Sequence, residues 1–144
     1  MRRIVIPVIS VLAIAAMLAG KEQSIQELIA RANSAPVKEQ PALFVEVAER
    51  ELKVADELYT TGKVDEARQA VGDIVTYSQK AHDSAIESGK KLKNVELAAR
   101  KMSHKLVDMK RTLNFEDQAP VQSAADRLQA LADDLLSRMF GKEK

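Results

Sequence analysis

His82 and His104 are the only imidazoles in the chain and cysteine is absent, so metal, haem or nucleophile chemistry would have to be assembled around them or around hydroxyls and carboxylates. A metal site inside a helical bundle calls for a carboxylate three or four residues from each histidine. Position 79 is Gln and position 101 is Lys, so the Glu-x-x-His arrangement of di-iron bundles is missing on both sides. A b-type haem held by a histidine with Met102, Met109 or Met139 is the remaining cofactor route. Met102 and Met109, however, fall on an apolar stripe, where a thioether ordinarily fills core space. His104 stands two residues past Met102 and is expected in solvent; His82 is expected on the flank of the stripe at Ala81. No GxSxG, HExxH or glycine-rich phosphate loop occurs. The acidic pairs Asp133 with Asp134 and Glu49 with Glu51 are expected on polar, solvated faces. Ser78, inside an apolar stripe, is expected to bond back to a carbonyl one turn earlier. No catalytic residue, cofactor or metal ligand is assigned, and the chain is expected not to be an enzyme.

The elements that would carry any site are helices. Hydrophobic residues make up 46% of the 144 residues and charged residues 30%, while aromatic residues are only 3%. A core built from Leu, Val, Ile, Ala and Met suits close helix packing better than a β-sandwich. "SIQE" at 24–27 reads as a capping box opening a short helix over about 25–33. Pro41 suits the start of the next helix, about 41–61, whose stripe of Val45, Ala48, Leu52, Ala55 and Tyr59 is widened by Leu43, Phe44, Val47, Val54 and Leu58. Gly62 closes it, and "VDEA" opens a helix over about 63–88 with the stripe Val64, Ala67, Val71, Ile74, Ser78, Ala81, Ala85. Gly89 is the next stop. Leu92, Val95, Ala99, Met102, Leu106, Met109 and Leu113 give a helix over about 90–114. "NFED" then breaks the pattern, with Asn114 expected as a left-handed cap, Asp117 as the next helix's N-cap and Pro120 in its first turn, for a last helix over about 118–140. Four long amphipathic helices joined by short turns predict an all-α, elongated antiparallel bundle occupying residues 41–140, with 21–40 a short helix and linker and 141–144 a tail.

The segment from Ala48 to about Ala81 resembles one tetratricopeptide-like hairpin, since Ala55, Gly62 and Ala67 fall where that family keeps small residues. It departs from the pattern at Glu51, Val71 and Gln79, where the family has two aromatics and a proline. In layout the whole chain is similar to small exported all-helical bacterial proteins. The hairpin resemblance implies partner binding through a helical groove rather than catalysis, and an open superhelix as the alternative to the closed bundle. Helices of this length exceed what a 34-residue repeat holds, which favours the bundle.

"MRRIVIPVISVLAIAAMLAG" places Arg2 and Arg3 before an apolar run from Ile4 to Ala19 and reads as a signal peptide cleaved after Ala19 or Gly20, with an uncleaved N-terminal anchor as the alternative. A periplasmic or secreted protein is therefore expected, with inner-membrane anchoring as the second reading. The net charge of +1 gives no global pull towards polyanions. Charge is nonetheless unevenly placed: residues 90–111 carry eight bases and two acids, whereas 41–61 and 116–140 each carry five acids and two bases. A basic helix between acidic ones would lie antiparallel favourably. A sharper reading makes Arg100, Lys101, Lys105 and Lys110 an anion- or partner-binding face for an acidic protein or an anionic envelope component. Nucleic acid is not expected, because no aromatic interleaves the basic run. The partner expected is another protein or a second copy of the chain, with a membrane only if the first segment is retained.

Overall fold

The structure, a computed structural model, describes residues 23–141. The expectations for residues 1–20 and for the tail beyond 141 lie outside the described residues. Five helices and no strand are present among the described residues: α1 (Ile25–Ser34), α2 (Gln40–Thr60), α3 (Val64–Ser88), α4 (Leu92–Lys110) and α5 (Phe115–Phe140). The all-α bundle is the architecture. The capping box is formed at α1: Glu27 N donates to Ser24 Oγ at 3.1 Å and Ser24 N donates to Glu27 Oε1 at 3.2 Å. Pro41 occupies the first turn of α2, as its fixed φ and missing donor favour. Gly62 at φ 83° and Gly89 at φ 70° supply the left-handed positions that reverse the chain after α2 and α3.

Helix directions follow from the turns and from side-chain registers. The connections after α2 and α3 are only residues 61–63 and 89–91, so each forces a reversal. Between α4 and α5, Ser103 Oγ donates to the Ala125 carbonyl at 2.8 Å and Lys110 Nζ to Gln122 Oε1 at 2.7 Å, a falling register that marks antiparallel helices. Between α3 and α5 the register rises: Arg68 bonds Asp117, Arg127 bonds Gln79, and His82 bonds Asp134. These two helices are therefore parallel, and so are α2 and α4. Contacts are most extensive within the hairpins α2/α3 and α4/α5; α3 then meets α5, α2 and α3 each meet α4, and α2 and α5 make no close backbone approach. Four helices thus form a ring in which α3/α5 and α2/α4 are the two seams between hairpins.

The stripes are the core. Ala67, Val71, Ile74, Ser78, Ala81 and Ala85 of α3 are all buried, as are Val95, Ala99, Met102, Leu106 and Met109 of α4 and Val121, Ala124, Leu128, Leu131 and Leu135 of α5. The extra apolar width of α2 is shared out: Val54 and Leu58 pack on the main core, Leu43 and Phe44 on a second cluster that includes Ala32 of α1, while Leu28 of α1 and Val47 of α2 are completely buried.

Several local expectations need correction. Asn114 is not left-handed but extended (φ −60°, ψ 152°), and it serves as the N-cap position of α5, which starts at Phe115 instead of 118. Asp117 is accordingly a first-turn residue, held by Arg68 rather than capping, and Pro120 lies one turn further in on the exposed side. Helix α4 spans 92–110 where 90–114 was expected, because Lys91 adopts φ 67° before it and residues 111–114 form the turn after it. Ser78 Oγ is buried with no hydrogen-bond partner, so the back-bond to its own helix is not made.

Glycine positions offer a paired test. Gly72 lies exposed within α3, and a Cβ there would meet nothing within 4 Å. Gly72→Ala should raise stability by about 0.5–1 kcal/mol, whereas Gly89→Ala, at positive φ, should lower it by about 1 kcal/mol despite equally open space; thermal unfolding followed by circular dichroism checks both.

Candidate functional site

The two inter-hairpin seams differ in kind. At the α3/α5 seam the two hairpins are stitched by polar bonds. Arg68 Nη2 lies 2.9 Å from the buried Asp117 carboxylate. His82 is 8% exposed, with Nε2 2.7 Å from Asp134 Oδ2 and Nδ1 2.8 Å from Asp83 Oδ1. A carboxylate oxygen thus faces each ring nitrogen. His82, expected on the flank of the stripe at Ala81, is buried there: α5 covers it, and the parallel packing of α3 and α5 brings Asp134 to it. Hydrogen bonds from Arg138 and then His82 hold the Asp134 carboxyl below the usual carboxylate range. At Asp83 burial pushes upward, but hydrogen bonds from His82 and Gln79 outweigh it and the carboxyl is held low. His104 is exposed on α4, as expected.

At the α2/α4 seam no such stitching occurs, and a groove of about 710 Å³ lies open between the two parallel helices. Its floor is Leu52, Met102 and Met109, and its walls are Glu46, Glu49, Arg50, Lys53 and Asp56 on α2 and Lys101, Lys105 and Asp108 on α4. Some of these charges are already engaged. Arg50 pairs with Glu46 at 3.2 Å and also donates to the Gln23 carbonyl, and Asp108 pairs with Arg111 at 3.2 Å. Lys101 and Lys105, one turn apart and exposed, form no ion pair among the described residues.

The four basic residues singled out from the sequence are not brought together. Lys101 and Lys105 share the groove wall. Arg100 turns towards α5, with Nη2 2.8 Å from Glu96 Oε2 and 3.5 Å from Asp133 Oδ1, and Lys110 bonds Gln122. Arg100 is thereby committed to neutralising Glu96, a carboxylate only 3% exposed whose second oxygen has nothing but the Lys93 ammonium at 3.8 Å. Asp133 is exposed yet ion-paired, rather than simply solvated.

Glu51 departs from expectation in the other direction. It is 7% exposed, on the α2/α3 interface, while its neighbour Glu49 is exposed as expected. Burial first, and the Asp73 carboxylate second, push the Glu51 carboxyl up. Asp73 is likewise raised by burial, against a hydrogen bond from Gln69. Tyr59 and Ser78 carry buried hydroxyls without partners. Ser88 and Lys91 stand at the spacing of a serine–lysine pair, but the Ser88 hydroxyl donates to Ala85 O within its own helix end and Lys91 sits exposed in the turn. Among the described residues no group of three or more acidic or histidine side chains converges as a metal cage would require. What the arrangement offers is a charged groove with an apolar floor.

Removing Arg100 should be a folding defect, not a binding one. Arg100→Ala leaves the buried Glu96 carboxylate with only the distant Lys93 ammonium and should lower the urea midpoint clearly, while Lys101→Ala and Lys105→Ala should each stay within about 0.5 kcal/mol of the parent, as urea unfolding would show. For Glu51, the folded state retains a proton that the unfolded chain releases between the ordinary carboxylate value and the raised one, so this group's contribution to stability falls as pH rises through that window. Glu51→Gln should therefore raise the melting temperature at pH 7 and by less at pH 4. A scan against protein-family models and searches of curated proteins and of solved structures found no match to this chain.

Proposed function

We propose that this chain is an exported, non-enzymatic binding protein that holds a partner protein in the groove between α2 and α4. The observation that carries the reading is the inequality of the two seams. The hairpins are bonded to each other along α3/α5, through Arg68, Gln79 and His82, and left apart along α2/α4, where apolar side chains floor an opening of about 710 Å³. A bundle that needed only to fold would gain by closing both seams, since burying apolar area is the main stabilising term. Methionines in the floor suit a surface that adapts to what it covers. The unpaired ammoniums of Lys101 and Lys105 favour a partner that brings acidic groups to the α4 wall. Export rests on the Arg2–Gly20 stretch alone. Scaffolding within the cell envelope is the setting in which such a small binding domain would act.

A photo-crosslinking side chain placed at position 105, in the groove, and in a second protein at position 130, on the exposed side of α5, gives the test. Applied to the envelope fraction of the producing cells, the first should give a discrete adduct and the second none. Equal labelling from both positions, or none from 105, would remove the groove from consideration. Association that appears only with anionic vesicles or polymer and vanishes above about 0.5 M salt would assign the lysines to an envelope polyanion instead.

A further inference from the structure

Resting on the reading of the groove as a protein-binding site, we infer that its occupant is a single amphipathic helix of about three turns, apolar on one stripe, acidic along one flank and basic along the other. The lining residues run from 46 to 56 on α2 and from 101 to 109 on α4, a trough about 15 Å long at the helical rise. Both walls are α-helices whose backbone donors and acceptors are consumed internally, so an extended segment laid in the trough would find no ladder to pair with. A helix satisfies its own backbone and asks only for side-chain complementarity, which this trough provides. Leu52, Met102 and Met109 take the apolar stripe. Lys101 and Lys105 stand at i and i+4, the spacing of one flank of a neighbouring helix, and call for carboxylates there. Across the trough Glu49 and Asp56 stand two turns apart at i and i+7, both exposed and outside any ion pair among the described residues; Lys53 stands between them, so the wall alternates in sign and asks for bases opposite the two carboxylates. A uniformly acidic occupant would face Glu49 and Asp56 on the α2 wall, and a uniformly basic one Lys101 and Lys105 on the α4 wall.

Three 18-residue helix-stabilised peptides with one leucine stripe distinguish the alternatives: one with glutamates on one flank and lysines on the other, one with lysines on both, one with glutamates on both. Against the full chain at low ionic strength, fluorescence anisotropy should rank the mixed peptide tightest, by about tenfold over either uniform one. In the K101E/K105E protein both walls are acidic, and the all-lysine peptide should become the tightest. Equal binding of all three, or an order unchanged by the double substitution, overturns the inference. If none of the peptides binds although position 105 still crosslinks to a protein, the helical occupant is wrong and the groove stands as a binding site; if position 105 also fails to crosslink, both fall together.

Discussion

The parallel seam between α3 and α5 is the constraint on which the remaining geometry depends. Short turns make each hairpin antiparallel, but they leave open how the two hairpins face one another. Arg68 to Asp117 and His82 to Asp134 settle this by joining the same ends of α3 and α5. Both bonds involve a buried group, Asp117 at 5% and His82 at 8% exposure, so a slipped register would strand the Asp117 carboxylate and leave the His82 ring without its partner on α5. Polar contacts of this kind specify an arrangement more than they stabilise it. The turns already make α3 parallel to α5 and α2 to α4; what the two bonds fix is the close joining of α3 to α5, and the groove is on the far side of that joint.

Small residues make the close approach within each hairpin feasible. Ala48 and Ala55 on α2 and Ala67, Ala70, Ala81 and Ala85 on α3 are all at most 4% exposed, so the helices meet with little side chain between them. Larger side chains gather towards the middle of the ring, where Ile74, Leu106 and Leu128 belong to one cluster; Phe44, Val95 and Leu135 form a second, with Ala32 of α1 in it. Helix α1 therefore closes one end of the structure, covering apolar width on α2 that would otherwise lie open.

Most of the fold was legible in the residue order. Apolar spacing of three and four found α2 to α5, Ser24 and Glu27 marked the start of α1, and Gly62 and Gly89 marked two of the reversals. The turn at 111–114 was misread because Asn114 tolerates both the left-handed and the extended backbone, and only the contact of Asp117 with Arg68, 49 residues earlier in the chain, favours the second. Glu51 was placed in water because its own helix gives it polar neighbours, and His82 was placed only on the flank of its stripe; their burial comes from α3 and α5, which no local pattern encodes. The basic residues were the instructive failure. Residue counts mark 90–111 as positive, yet helical periodicity alone separates Lys101 and Lys105 from Arg100 and Lys110, and the wheel was the signal that could have found the groove wall. The groove itself was not legible, since it depends on which hairpin faces meet.

The three residues 89–91 connect the hairpins, and Lys91 sits there at φ 67°, a backbone geometry that side chains other than glycine occupy at some cost. A connection this short and this strained has a second solution: straightened, it would run α3 into α4 as one continuous rod and deliver the second hairpin to another molecule. Every contact between hairpins would then be remade between two chains, with the strain at Lys91 relieved. Such an exchange would turn on three residues distant from the groove, and on protein concentration.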